Sequence, residues 1–406
     1  MSRPARTIYR NDFLYHAIAR MRRWRLRHMP VVDDAEQPVG ILHLDDALAV
    51  AASQMVEHIE RLTHEDSLDG MKSTKAAQRE VAAALAADTV PAPDIQALLS
   101  HINRDLHRRV VGLSVAAMRD DGWGEPPTEF DVVILGSGGR GESYLNPDQD
   151  NGFVIADYPD SDHTRIDAWF LELAERTTAA LNDLGFPLCN GYVMATNPMW
   201  RKTISQWKDQ LRYWIAKAHG NYLRYCDIFF DFESVYGRGA LTANLRAFVT
   251  ENARRKFFLR EMFKVDEAHG VALGFFGRLK TDPLPGPHQG KVNLKLTGTL
   301  PLVGAMRILA LREGVPETAT RARIDRLAGE GVLSYDEQDY LRGAFRHITN
   351  LLLRQQLQDA QSGVAVSNHV PPSALSEREK DILVDAFKAI RAFRSRVREE
   401  LGAEVF

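Results

Sequence analysis

One segment constrains this chain more than any other: Leu135-Gly-Ser-Gly-Gly-Arg-Gly-Glu-Ser-Tyr-Leu-Asn-Pro-Asp-Gln-Asp-Asn-Gly-Phe-Val154. The apolar run Val132-Val-Ile-Leu135 reads as a buried strand, and it ends in Gly136-Ser137. A glycine-rich turn then opens a short helix. After a ten-residue gap, Asp148-x-Asp150 leads into a second strand, Phe153-Val-Ile-Ala156. Each part has a chemical use. Gly136 and Gly139 let the backbone approach a triphosphate, and N–H groups at a helix start favour its negative charge. Ser137 can donate to a phosphate oxygen, and Arg140 can neutralise another. Aspartates two residues apart on a strand share a face, so Asp148 and Asp150 can jointly hold Mg2+ or Mn2+ against the phosphates of an NTP.

Acidic residues number 54 among 406, so an acidic-x-acidic pair alone is uninformative, and so is a glycine turn. The ordered combination carries the reading, against a surface turn that uses Gly and Asp for geometry alone. A calcium loop is excluded, because Gly152 falls at loop position five and Pro159 at position twelve.

The rest of the chain surrounds this core with other textures. Phe13, Ala17, Ile18, Met21 and Trp24 recur near helical spacing, followed by short strands at Met29–Val32 and Val39–Leu42 and a helix over Ala47–Met55. Residues 94–118 carry a helical apolar face, and Asp120–Thr128 is a Gly/Pro loop. A third strand is expected at Tyr192–Ala195, a helix at Ile166–Leu184, and an apolar strand run at Ile228–Phe232. After Gly239 the texture is helical, ending in the charged helix Glu377–Leu401. The expected fold is α/β in the mixed α+β sense. The division is an N-terminal unit over 1–55, a helical connector over 56–125, a small mixed-sheet core over 126–237 and a helical domain over 238–406.

Two resemblances follow from these residues. His28-Met-Pro-Val-Val-Asp33 with Gly40-Ile-Leu-His-Leu-Asp-Asp46 resembles a single cystathionine-β-synthase (CBS) motif, a module that pairs and binds adenine nucleotides; Asp46 fills its ribose-binding position. The segment Leu135–Val154 resembles the nucleotidyltransferase core of the DNA polymerase β superfamily, nearest the uridylyltransferases and adenylyltransferases of nitrogen-regulatory proteins. Taken with Cys189-Asn-Gly-Tyr-Val-Met-Ala-Thr-Asn-Pro-Met-Trp200, Asp227-Ile-Phe-Phe-Asp231 and His288-Gln-Gly-Lys-Val-Asn-Leu-Lys295, the chain resembles a bacterial family of CBS-linked nucleotidyltransferases described as signal-transduction proteins.

The resemblance implies Mg2+- or Mn2+-dependent transfer of a nucleoside monophosphate from an NTP to a protein or small-molecule hydroxyl. It implies a helical substrate-binding domain after the core. It also implies a third carboxylate acting as base. Asn197 stands where the strand at Tyr192–Thr196 would deliver one, so Asp231 is the substitute catalytic candidate. Lys291 and Lys295 flank alternating Val292 and Leu294, which predicts one strand face offering both lysines to phosphates or to solvent. Trp200, Trp207 and Trp214 recur every seven residues and read as a core stripe. Arg20, Arg22, Arg23, Arg25 and Arg27 read as a solvated face. The alternative function is a nucleotide-sensing regulator without turnover, acting through the CBS motif or a partner. A lone CBS motif also implies a homodimer.

Composition narrows the setting. Fifty-one basic against 54 acidic residues exclude a globally basic nucleic-acid binder, and no apolar run reaches the ~18 residues of a membrane span. Only Cys189 and Cys226 are present, which excludes a disulfide scaffold or cysteine-based zinc site and points to the cytoplasm.

Overall fold

The structure is a computed structural model describing residues 6–10, 12, 17, 20, 21, 24, 26–33, 35–43 and 67–402. The chain divides into two compact units after Val90. In the first, β1 (Ile8–Tyr9), β2 (His28–Val32) and β3 (Pro38–His43) form a sheet in that order. β1 runs parallel to β2, and β2 antiparallel to β3. Asp33 closes the turn between β2 and β3 by accepting from the backbone N–H groups of Ala35 and Gln37. Ile8, Ala17, Met21 and Met29 make its core. The same unit holds α1 (Leu68–Ala87), capped by the Ser67 hydroxyl. The helix expected over Ala47–Met55 lies outside the described residues, as do Asp46, Arg22, Arg23 and Arg25.

The second unit opens with α2 (Ala92–Asp120), which starts behind Pro91 and spans the expected helical face. The expected connector over 56–125 therefore contributes one helix to each unit. The core follows: β4 (Phe130–Ile134), α3 (Gly136–Arg140), β5 (Asn151–Ile155), α4 (His163–Asp183), β6 (Arg201–Thr203), α5 (Ile204–Lys217), α6 (Asn221–Phe229) and β7 (Glu233–Tyr236). The sheet order is β6-β5-β4-β7, with β5 and β6 parallel and the other pairs antiparallel.

Strand alternation assigns the two faces of this sheet. Phe130, Val132, Ile134, Phe153 and Ile155 pack against Val111, Val115 and Met118 of α2 and against Ile166 and Phe170 of α4. Val133 and Val154 face the other way and join Trp200, Trp207, Leu211 and Phe229. Fully burying each large apolar side chain contributes about 1.5–3 kcal/mol, so both faces are firmly held. The tryptophan stripe is core, as expected: Trp200, Trp207 and Trp214 are all buried.

That second core continues into the helical half: α7 (Ala240–Asn252), α8 (Lys256–Asp266), α9 (Leu300–Glu313), α10 (Thr320–Gly329), α11 (Tyr335–Gln361) and α12 (Glu377–Gly402). Two short strands, β8 (Val292–Asn293) and β9 (His369–Val370), pair antiparallel within it. α9 is buried on nearly every side, which a uniformly apolar sequence such as Leu302-Val-Gly-Ala-Met306 allows. The class is mixed α+β, as expected.

Three expected strands differ. Tyr192–Ala195 is a turn segment, tied in by one backbone bond from the Asn151 N–H to Val193 and by the Asn151 side chain to the Ala195 N–H. The outer strand beside β5 is β6, which begins nine residues after Tyr192. Ile228–Phe232 ends α6 and turns into β7, because Cys226, Phe229 and Phe230 are buried at helical spacing. The run after Lys291 forms only the two-residue β8 before Lys295–Thr299 winds into a π-helical turn, so the two lysines do not share a strand face.

Candidate active site

The expected motif residues meet where β4 ends and β5 begins. The Leu135 N–H donates to the Asp150 carbonyl at 2.9 Å, closing the strand pair. Gly136 then turns the chain at φ +56°, and a Cβ there would stand 3.3 Å from Asp150 Oδ2. Between the two aspartates, Gln149 is fully buried and donates to the Thr178 and Phe186 carbonyls. The two aspartates precede β5, which begins at Asn151, rather than lying on it; Gln149 points inward, while Asp148 is exposed and Asp150 half-buried.

A third side chain joins them: donor atoms of Asp148, Asp150 and Cys189 all lie within 4.8 Å of one another. Burial, and then the neighbouring Asp148 charge, push Asp150 up to about 6; the Cys189 thiol, Lys295 and Arg140 act the other way. Burial and the Asp150 carboxylate push the Cys189 thiol up to about 12, so at neutral pH it stays protonated as a hydrogen-bond donor to Asp150. This donor set fits a hard divalent ion. Two carboxylate oxygens are close enough to share it, and a positive charge there would offset the burial of Asp150 and the repulsion between the two carboxylates.

Ser137 sits on the glycine turn, half-buried, and its hydroxyl makes no hydrogen bond among the described residues. Lys295, at the start of the π-helical turn, is near enough for its charge to favour the ionised Asp150. Lys291 stands apart beside the β8–β9 pair, where its charge acts on His369.

Arg140 and Asp231 depart from their expected roles. Arg140 donates from Nε to Glu142 at 2.6 Å and from Nη1 to Asp231 at 2.8 Å, in a nearly closed interior. Asp231 is fully buried, and its carboxylate also accepts from Arg307 at 2.6 and 3.0 Å and from Arg323 at 2.6 Å. Burial alone would raise its pKa, but Arg307, Arg323 and Arg140 outweigh burial and hold it well below the usual carboxylate range. A general base needs a free lone pair and affinity for a proton. Asp231 has neither, and Arg140 is not a free phosphate ligand.

Asn197 is not a strand residue facing the aspartates. It caps a short 3-10 turn, accepting from the Met199 N–H and donating to the Tyr192 carbonyl. The side chain that does reach Asp150 from this segment is Cys189. Gly139 serves packing: a Cβ there would fall 1.7 Å from the Asp231 carbonyl oxygen. The glycine turn is further tied by Arg104 to the Gly138 and Gly139 carbonyls and by Thr318 to the Gly139 carbonyl. Glu142 accepts from the N–H of Thr320, the first residue of α10. The helical half thus holds the glycine turn from behind. Sequence reading missed these partners, which lie as far as 179 residues away and leave no local pattern.

A mixed four-stranded sheet that ends in a glycine turn and a pair of converging aspartates has the parts of a nucleotidyltransferase domain. Family comparison agrees: the model for "Putative nucleotidyltransferase DUF294" matches residues 76–221, that for "Putative nucleotidyltransferase substrate binding domain" matches 256–401, and that for the CBS domain matches 1–53. These domains in this order place the chain in the CBS-linked nucleotidyltransferase family. No curated protein matches it significantly. No described helix is long and apolar enough to cross a membrane.

Proposed function

We propose that this chain transfers a nucleoside monophosphate from an NTP to a hydroxyl of a protein or small molecule, in a cytoplasmic signalling role. The observation that carries the reading is the convergence of Asp148 and Asp150 beside the Gly136-Ser137 turn. Asp148 and Asp150 would hold Mg2+ or Mn2+, which when bound supplies charge neutralisation to the phosphates. Gly136 gives the triphosphate close access to backbone, Ser137 offers it a free hydroxyl, and Lys295 adds positive charge beside Asp150. The acceptor hydroxyl gives up its proton to solvent as its oxygen forms a bond to the α-phosphorus and the bond to pyrophosphate breaks. This in-line step relies on positioning and electrostatics and needs no covalent intermediate.

The test is calorimetric NTP affinity with and without Mg2+, for wild type, Asp148→Asn and Asp150→Asn, together with transfer from α-labelled NTP into a host lysate. Metal-dependent binding lost in both variants, with label transfer, is the expected result. Metal-independent binding of equal strength in all three would sink it, and metal-dependent binding without transfer would leave the nucleotide-sensing regulator. We further propose a homodimer through the CBS motif, whose single copy leaves a partner face open. Light scattering of the full chain and of residues 91–406 checks this; equal oligomeric states would overturn it.

A further inference from the structure

We propose that the loop Gly274–Arg278 and the basic cavity beside it dock an acidic segment of the acceptor protein. The inference rests on the nucleotidyl-transfer reading and deepens it by naming the class of acceptor. The residues Leu273 and Leu279 form an isolated antiparallel bridge, and the chain between them reverses through Phe275-Phe276-Gly277. Both phenyl rings stand in solvent: Phe275 is 90% exposed, and Phe276 fully so. Phe276 also holds φ +56°, a conformation that bulky side chains rarely adopt. Adjacent exposed aromatic rings on a strained turn are a contact surface rather than scattered apolar residues.

Beside the loop lies a cavity of about 400 Å³, lined by Lys280, Arg391, Arg394 and Arg398 and by one acid, Glu267. Arg394 is neutralised by buried Asp266, and Arg398 approaches Glu267 only to 3.6 Å. Lys280 and Arg391 have no carboxylate partner among the described residues; the Arg391 guanidinium donates to the Leu273 carbonyl at the base of the loop. A free phosphate would account for the cavity alone. An extended protein segment with carboxylates and an apolar side chain accounts for both the cations and the phenyl rings, by the charge complementarity that clustered Arg and Lys use for acidic motifs.

The position suits an acceptor. The Ala272 N–H donates to the Thr297 carbonyl, and the Lys280 N–H to the Ala272 carbonyl. Through these bonds the docking loop is joined to the π-helical turn that begins at Lys295, whose charge favours the ionised Asp150. An acceptor held at the loop would therefore lie on the element that borders the transfer site.

The probe is a fluorescein-labelled peptide of alternating glutamate and leucine, with its glutamine counterpart as control, titrated with the full chain and followed by anisotropy. The expected result is binding of the glutamate peptide alone, weakened roughly tenfold by Lys280→Glu with Arg398→Glu and roughly threefold by Phe275→Ser with Phe276→Ser. Unchanged affinity in the charge-reversed variant, equal binding of the glutamine peptide, displacement by inorganic phosphate, or stronger binding to phosphatidylglycerol vesicles would each overturn it. Mg2+-dependent NTP affinity is measured on the wild-type chain and on the same variants, which should retain it. In wild type, peptide binding without Mg2+-dependent NTP affinity refutes nucleotidyl transfer, whereas Mg2+-dependent NTP affinity without peptide binding refutes only the docking site.

Discussion

The Arg140 guanidinium donates to the Asp231 carboxylate at 2.8 Å, across 91 residues of sequence. This ion pair links the helix that opens with the glycine turn to the helical half, because Arg307 of α9 and Arg323 of α10 bind the same carboxylate. Glu142 and Asp227 complete the balance by pairing Arg140 and Arg307. Three buried cations are thus held by carboxylates rather than by solvent, and the glycine turn is set by tertiary packing.

Asp231→Asn should therefore act on stability. It leaves three buried guanidinium groups short of one negative charge, with an expected loss of about 3–5 kcal/mol. Urea unfolding measures it. A variant as stable as wild type would show that the cluster does not hold the two halves together.

Asp150→Asn should do the opposite in the absence of metal. Its folded pKa, about 6, lies above the ordinary 3.8, so the folded state binds the proton more tightly than the unfolded chain does. The resulting stabilisation is fully present below the unfolded value and is lost as pH rises through about 6. At pH 7.5 the charged carboxylate is a burden that Asn removes, with an expected gain of ~1–2 kcal/mol. Thermal melts from pH 4 to 8 should fall with pH in wild type more steeply than in the variant. Added Mn2+ should raise the wild-type melting temperature and leave the variant unmoved.

The third group at the aspartate pair is Cys189, so Cys189→Asp should strengthen Mn2+ binding and Asn197→Asp should not. Asn197→Asp loses the donor to the Tyr192 carbonyl and sets a carboxylate against it, at a cost of about 1 kcal/mol. Mn2+ titration by calorimetry separates the two. Tighter Mn2+ binding in Asn197→Asp would return position 197 to the site.

Gly139→Ala should destabilise by about 1–3 kcal/mol, since its Cβ would drive against a backbone carbonyl at Asp231. Gly136→Ala should cost ~1–2 kcal/mol through its left-handed backbone and should also weaken NTP binding by crowding Asp150. Paired melts and NTP titrations check both. Equal melting temperatures for Gly139→Ala and wild type would refute the packing role.

Much was legible in sequence because it is local. Two apolar runs with a glycine turn between them dictate β4, α3 and β5, and the helical spacing of Leu341, Phe345, Ile348 and Leu352 dictates the buried face of α11. The convergence of Asp148 and Asp150 was also local, because side chains two apart on extended backbone share a side whatever the rest of the chain does. The turn at Tyr192–Ala195 was not legible: an apolar run records burial, and the turn residues Val193, Met194 and Ala195 are buried as deeply as strand residues.

What a charged residue does was decided only in three dimensions. Arg140 and Asp231 carry the right chemistry for a phosphate ligand and a base, but whether a charge meets solvent, ligand or another charge depends on what the fold brings beside it. Here the fold brings Arg307 and Arg323 to Asp231 and Cys189 to Asp150. Sequence determined the strand–turn–strand frame and the paired aspartates, because local backbone geometry suffices for both. Tertiary structure alone decided which ionisable groups remain available, because at a few ångströms inside a protein the Coulomb interaction outweighs any preference a residue carries by itself.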